Sequence, residues 1–392
     1  MSESEPRTTM DTTEVDNWLG VPLGGGQFHD DIHINDIRRW AQGMQNPNPL
    51  YFDNDFAAES VFGEIIAPQS FTVNCTVGHG ATPAIQGYVE GTHMLFGGDE
   101  WWFNGPRVRP GDRVNSDRML YDYVVKNTKF AGPTMFSRGD TTYINQKGEV
   151  IGKQRSTSIR YYADEAARIG GDYGEAREDP VWSDEDLASL EKQKFEYYRT
   201  FHDLGHEQRS LVKVGEVLPT RPIGPHTVAS FTTEWRSYTM TVWGATYDKG
   251  LSSTLEAGWI PEMSRDREGQ KIDAAEGDGL YRGPSRGHVQ PRYARLIGMP
   301  RSYGYGATMG SWILDYLANW AGEHGFVIHS DMKYTGPAHT GDATFLNGEV
   351  TGIDYNTADG PIANISVRMT NQQDVLLAKG DAQVLLPSET ND

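Results

Sequence analysis

Hydrophobic and polar positions change period along the second half of the chain. In Ser311-Trp312-Ile313-Leu314-Asp315-Tyr316-Leu317-Ala318-Asn319-Trp320-Ala321, the residues Trp312, Ile313, Tyr316, Leu317 and Trp320 recur at helical spacing on one broad face. Such a helix needs a large apolar surface to cover it. Three later stretches, 344–353, 362–370 and 375–386, alternate well enough to form an antiparallel sheet. A sheet wrapped around one apolar helix is the simplest module consistent with this order. The first half reads as a helix-like stretch over 34–44, the loop Asn46-Pro47-Asn48-Pro49, and strands over 113–125, 134–145 and 150–161. β-Branched and aromatic residues fill those strands, and Gly and Pro break them. An acidic, Gly-containing stretch over 164–180 lies between the halves. It leads to Ser183, with Asp186 three residues on, a pattern that approximates a capping box. The helix this predicts carries Leu187, Leu190, Lys194 and Tyr198 on one side and stops near Gly205. It reads as a spacer packed on the modules, its charges forming a solvated face.

The two halves repeat each other. Gly105-Pro106-Arg107-Val108-Arg109-Pro110-Gly111-Asp112 in the first corresponds to Gly336-Pro337-Ala338-His339-Thr340-Gly341-Asp342 in the second. Some thirty residues later, Asn145-Gln146-Lys147-Gly148 corresponds to Asn371-Gln372-Gln373-Asp374, each followed by a strand-like run. A duplicated unit implies two similar modules packed together, and a site can be kept in one copy and lost in the other. The expected organisation is a disordered tail over 1–17, a first module over 18–165, an acidic helical connector over 166–211 and a second module over 212–392. The length of 392 residues agrees with two such domains and a connector.

Charge and cysteine usage narrow the function. A net charge of −19 leaves no basic excess for phosphate backbones or anionic membrane surfaces. Cys75 is the only cysteine, so no intrachain disulfide and no Cys-rich metal pattern is available. A reducing cytoplasm fits this usage. No apolar stretch approaches the length of a membrane span, and the polar start lacks an apolar signal core. His329 and His339 stand alone and read as surface or strand positions.

Chemistry concentrates ahead of the apolar helix. His288 sits in a loop, and Tyr303-Gly304-Tyr305-Gly306 forms a Gly-rich turn before the helix. A histidine can move a proton near neutral pH, and N–H groups at a helix start can hold a developing oxyanion. That pairing suits chemistry beside a carbonyl; a structural histidine and a tight-turn glycine are the alternatives. Arg282, Arg286, Arg292, Arg295 and Arg301 fall within twenty residues of an otherwise acidic chain. They suit an anionic ligand such as the phosphates of coenzyme A, or a solvated basic face.

These segments resemble the MaoC-like dehydratases, which include the (R)-specific enoyl-CoA hydratases. The family signature is an Asp, a spacer with Asn-Pro, a His, an Ala several residues on and a Gly before the central helix. In the first half the similar residues are Asn46 to Asp53, Ala58, Gly63 and Ile66-Ala67-Pro68, and Trp101-Trp102-Phe103 matches the start of a strand block. The resemblance implies an α+β double hotdog, in which two antiparallel sheets each wrap a central helix. Asn46 and Tyr51 take the positions of the catalytic Asp and His in the first copy, so that copy is expected to be chemically retired. His288 falls on the catalytic His position of the second copy, Gly283 falls on the Asp position, and Asp278 is the candidate carboxylate. Tyr305-Gly306 stands where the family often has His-Gly.

By this resemblance, the expected activity is hydration or dehydration of a 2-enoyl-CoA or 3-hydroxyacyl-CoA thioester. His288 and Asp278 would be catalytic, and Tyr305, Gly306, Arg286 and Arg292 would bind substrate. No metal or organic cofactor is expected, because the thioester itself acidifies the α-proton. The alternatives are a non-catalytic acyl-thioester-binding module, a partner subunit that completes a hydratase site, and thioester hydrolysis on the same scaffold. A homodimer or a hetero-oligomer with another hotdog subunit is the expected assembly, acting in lipid metabolism.

Overall fold

One antiparallel sheet of nine strands, in the order β2-β3-β4-β1-β6-β9-β8-β7-β5, organises the chain. A computed structural model describes residues 7–23, 31–75, 80–169, 177–209, 212–238 and 286–387. The strands are β1 (Thr92–Phe103), β2 (Val114–Thr128), β3 (Gly132–Asn145), β4 (Val150–Tyr162), β5 (Val217–Ile223), β6 (Phe326–Tyr334), β7 (Thr344–Asp354), β8 (Ile362–Asn371) and β9 (Leu376–Leu385). Among the described residues the helices are α1 (Thr13–Asp16), α2 (Ile34–Gly43), α3 (Asn54–Glu59), α4 (Ala163–Ile169), α5 (Asp184–Leu204), α6 (Val228–Ser237), α7 (Pro291–Leu296) and α8 (Gly306–Ala321). The six strands expected from alternation all form. The first four strands come from one half and the last five from the other. They join where β1 pairs with β6, with Gly98 opposite Lys333 and Trp102 opposite His329. Gly98 is needed at this seam: it has φ +148°, and a Cβ there would lie 2.3 Å from the Met332 carbonyl oxygen.

The second half is a sheet wrapped around α8, as its periodicity implies. The helix is buried on all sides, beyond the one apolar face expected from its pattern. Its own sheet covers one side, and the 3-10 run Gln69–Cys75 of the first half packs against it. This run marks a departure from the expected symmetry. In place of a long central helix, the described residues of the first half carry 3-10 runs at Gln69–Cys75 and Thr82–Ile85. Ser70, Thr72, Val73 and Asn74 are poor helix formers, because short polar side chains compete for backbone partners and a β-branched residue loses rotamer freedom.

The duplication extends to individual hydrogen bonds. Asn145 Oδ1 accepts the backbone N–H groups of Lys147 and Glu149, and Asn371 Oδ1 accepts those of Gln373 and Val375, all at 3.0 Å. Gln146 and Gln372 then reach back to Asp112 and Asp342 at 2.8 and 3.0 Å. Ile32 N–H donates to Asp112 O in one half, and His226 N–H donates to Asp342 O in the other. Each of those residues lies two before a helix, so α2 and α6 are counterparts, and they pack against each other.

The capping box at Ser183 and Asp186 starts α5, and Gly205, with φ +54°, ends it. Its buried stripe is Leu190, Tyr197 and Phe201, while Leu187 stays exposed. The expected disordered tail needs correction. Met10 and Val15 pack with Val89, Leu120 and Met135, and Tyr123 donates to Asp16.

Replacing Asn371 by Ala strands two backbone donors of the β8–β9 turn. Chemical denaturation should show a loss of about 1–2 kcal/mol, and Asn145→Ala should lose a similar amount. An unchanged midpoint in both would show that the side chains do not hold the turns.

Candidate active site

The β1–β6 seam opens a pocket of about 740 Å³. Phe96 of β1, Phe136 of β3 and Ile159 of β4 wall it from the first half; His288, Tyr303, Tyr305, Gly306 and Tyr334 wall it from the second. Three of the residues singled out in the sequence, His288, Tyr305 and Gly306, therefore meet in one cavity.

A 3-10 turn, Arg286–His288, carries the imidazole just ahead of α7. His288 Nδ1 lies 2.7 Å from the Tyr303 carbonyl oxygen. A carbonyl can only accept, so Nδ1 carries the hydrogen and Nε2 the lone pair. The ring stacks on Tyr305 at 4.2 Å and meets Tyr303 at 4.3 Å. Burial pushes the His288 pKa down to about 4, against the opposing pull of the Tyr303 carbonyl. The ring is neutral at pH 7, with a basic nitrogen available.

Gly306 is the first residue of α8, and Tyr305 is its N-cap, with no capping hydrogen bond from its side chain to the helix start. The first N–H groups of a helix lack intrahelical partners, and they carry the positive end of its dipole. Gly306 serves close packing more than turn geometry: a Cβ there would lie 2.6 Å from Phe96 Cβ.

The same local architecture recurs around Tyr51. A 3-10 turn, Pro49–Tyr51, precedes the six-residue α3 as Arg286–His288 precedes the six-residue α7. Ala67 N–H then donates to Val108 O, as Gly304 N–H donates to Ala338 O. Tyr51 thus holds the place of His288 in the first copy. Burial raises its pKa, with Arg107 opposing, so the phenol keeps its proton and is no base near neutrality. Asn46 is buried as well and accepts from the Asn319 side chain at 3.1 Å.

Comparison with known proteins agrees with this architecture. A MaoC-like dehydratase of known structure is 14% identical, with a TM-score of 0.59 over 95% of this chain and 100% of that one. A MaoC domain protein dehydratase from Chloroflexus aurantiacus is 12% identical, with a TM-score of 0.52 over 99% of each chain. Residues 17–154 match the family described as FAS1-like, dehydratase domain region. The chain has a double hotdog fold. A curated relative from Thermomonospora curvata, named "Probable enoyl-CoA hydratase alpha subunit", is 29% identical over 159 residues, 37% of this chain and 50% of the relative. The chain spans about half the length of that relative. The family match falls on the first module, whereas the pocket imidazole comes from the second.

Other sequence candidates fare differently. Arg292 is not among the pocket-lining residues; its guanidinium lies over the Tyr293 ring at 4.7 Å and donates to that hydroxyl at 3.2 Å. Arg301 lines the pocket but is occupied by Asp342 at 3.0 Å and Asp179 at 3.7 Å. Arg292 and Arg301 therefore do not form one free basic face. Asp278, Gly283 and Arg282 lie outside the described residues, as does the side chain of Arg286. Among the described residues, the hydrogen-bond partner of His288 is a carbonyl, and the lining carboxylate is Asp342. No group of three or more His, Cys, Asp and Glu among the described residues could hold a metal ion.

His339, expected at a surface or strand position, instead lines the pocket. An isolated bridge pairs it with Tyr303, whose carbonyl receives the His288 hydrogen. Burial, then the charge of Arg301, pushes its pKa down to about 4. Nothing in its local sequence signals this, because the contact depends on the long-range bridge to Tyr303.

The lowered value of His288 makes a test of stability. An imidazole near 6.5 when unfolded and about 4 when folded takes up its proton first in the unfolded chain. Its contribution is complete above about pH 6.5 and is lost as pH falls toward 4, by about 3 kcal/mol. His288→Asn should flatten the urea midpoint against pH across that window; an unchanged slope would place the ring in solvent.

Proposed function

We propose that this protein adds water reversibly across the 2,3 double bond of a 2-enoyl-CoA thioester, with a 3-hydroxyacyl-CoA as product. The observation that carries the reading is the neutral imidazole of His288, its Nδ1–H held by Tyr303, in the same pocket as the start of α8. In this reading His288 Nε2 removes a proton from water as the water oxygen bonds to C3. The π electrons shift toward the thioester, and the N–H of Gly306 stabilises the developing enolate oxygen. The proton then returns to C2, and the elimination runs the same steps backward. A base with a pKa near 4 is weak in isolation. The imidazolium and enolate form together in a pocket of low polarity, where their attraction offsets that weakness.

Asp278 is proposed as the second acid–base group from its place in the sequence, and Tyr305 as the residue that fixes the plane of the imidazole. The side chains Phe96, Phe136 and Ile159 of the first half offer an apolar wall for the acyl group. That half would then act by shaping the pocket, while the second carries out the chemistry.

His288→Ala should lower kcat for hydration of crotonyl-CoA by about 10²–10⁴-fold while the fold persists by circular dichroism. A variant as active as the wild type would refute the assignment. Gly306→Ala forces a Cβ against Phe96 and should displace the helix start, with kcat lowered at least about tenfold. Wild-type kcat in that variant would remove α8 from the mechanism. Saturable thioester binding by the wild type without turnover would favour the binding-module alternative.

A further inference from the structure

The connector is more than a spacer, because residues 177–182 lie across the loop that borders the pocket. Arg177 N–H donates to Pro300 O at 3.4 Å. Asp179 Oδ1 accepts the Thr340 hydroxyl at 2.8 Å, and Trp182 Nε1 donates to Gly341 O at 2.7 Å. A Cβ on Gly341 would lie 2.6 Å from Pro180 Cδ, so the two segments are pressed together. The equivalent glycine of the first copy, Gly111, would meet nothing within 4 Å. Among the described residues, only the copy that carries the pocket imidazole is covered in this way.

This strap places Arg177 on the pocket wall with an exposed side chain. Gln373 and Val375 are also exposed lining residues, so this is the solvent end of the cavity, while His288 and Tyr303 are buried. Among the described residues no carboxylate pairs with Arg177, whereas the neighbouring Arg301 is held by Asp342 and Asp179. A guanidinium with no carboxylate partner among the described residues, at the mouth of an apolar pocket in a chain of net charge −19, suits a ligand with an anionic outer end.

We propose that Arg177 binds the phosphate groups of the coenzyme A part of the substrate, and that the strap exists to hold it at the pocket mouth. The proposal rests on the reading of the pocket as a thioester site. Arg177 takes the place of Arg292, which does not line the pocket, and stands beside Arg286, whose side chain lies outside the described residues.

The test is calorimetric titration of the full chain with butyryl-CoA and with butyryl-pantetheine, which keeps the acyl group and thioester arm but lacks phosphate. Arg177→Ala should weaken butyryl-CoA binding about tenfold and leave butyryl-pantetheine within about twofold. Arg177→Lys should fall between wild type and Arg177→Ala, because it retains charge without the planar fork. Equal affinity of wild type and Arg177→Ala for butyryl-CoA would overturn the proposal. An equal loss for both ligands, or no binding of butyryl-CoA to the wild type, would do the same. Crotonyl-CoA hydration measured in parallel separates the two readings: phosphate-dependent binding without turnover defeats the hydratase assignment and leaves Arg177 in place.

Discussion

The pairing of β1 with β6 is the constraint on which the candidate site depends. It joins two hotdog halves into one nine-stranded sheet and sets Phe96 against the first residue of α8. Two glycines make that approach possible. Gly98 lets the strands close against the Met332 carbonyl, and Gly306 lets the helix start close against Phe96. With side chains at either position the seam would have to open, and the wall shared by the two halves would be lost. The pocket belongs to neither half alone, so the first copy can contribute to it without retaining chemistry.

The asymmetry between the copies has a physical basis in what surrounds each equivalent turn. His288 faces a cavity and is polarised by one carbonyl. Tyr51 is buried beside Arg107 in a polar cluster between the halves. There Asn46 bonds Asn319, Ser70 donates to Asp315 at 2.6 Å, and Arg221 donates to the carbonyls of Trp312 and Met44. Burial raises the Asp315 pKa to about 6, with Arg221 the leading opposing influence. Buried polar groups are costly unless paired, so such a cluster fixes how the halves meet.

Much of this was legible in the sequence, because local signals coincide with the elements that form. Strands β7 to β9 and the three strands after β1 begin and end within three residues of their alternating patterns, whereas β5 and β6 were not expected. The Ser183 cap and Gly205 mark both ends of α5. The family resemblance set Tyr51 and His288 at the same motif position, and the 3-10 turns and short helices around each agree. Features set by long-range contact were not legible. The Gly97-Gly98 pair hides β1 as one continuous strand, and Trp101-Trp102-Phe103, expected at the start of a strand block, form its end. His339 reaches the pocket through its bridge to Tyr303, and Arg177 through a strap whose composition signals only acidity. The run Gln69–Cys75 occupies the place of a first central helix, but its side chains do not favour one.

The central claim is that His288 is a neutral, Nδ1-protonated imidazole facing a thioester pocket. Nitrogen-15 NMR of histidine-labelled protein reads both the tautomer and the titration of this ring, assigned by comparison with His288→Asn. The account predicts an Nδ1–H ring that stays neutral down to about pH 4 and whose Nε2 resonance shifts when a saturating acyl-CoA is added. A ring that titrates near 6.5 and ignores the ligand would contradict it.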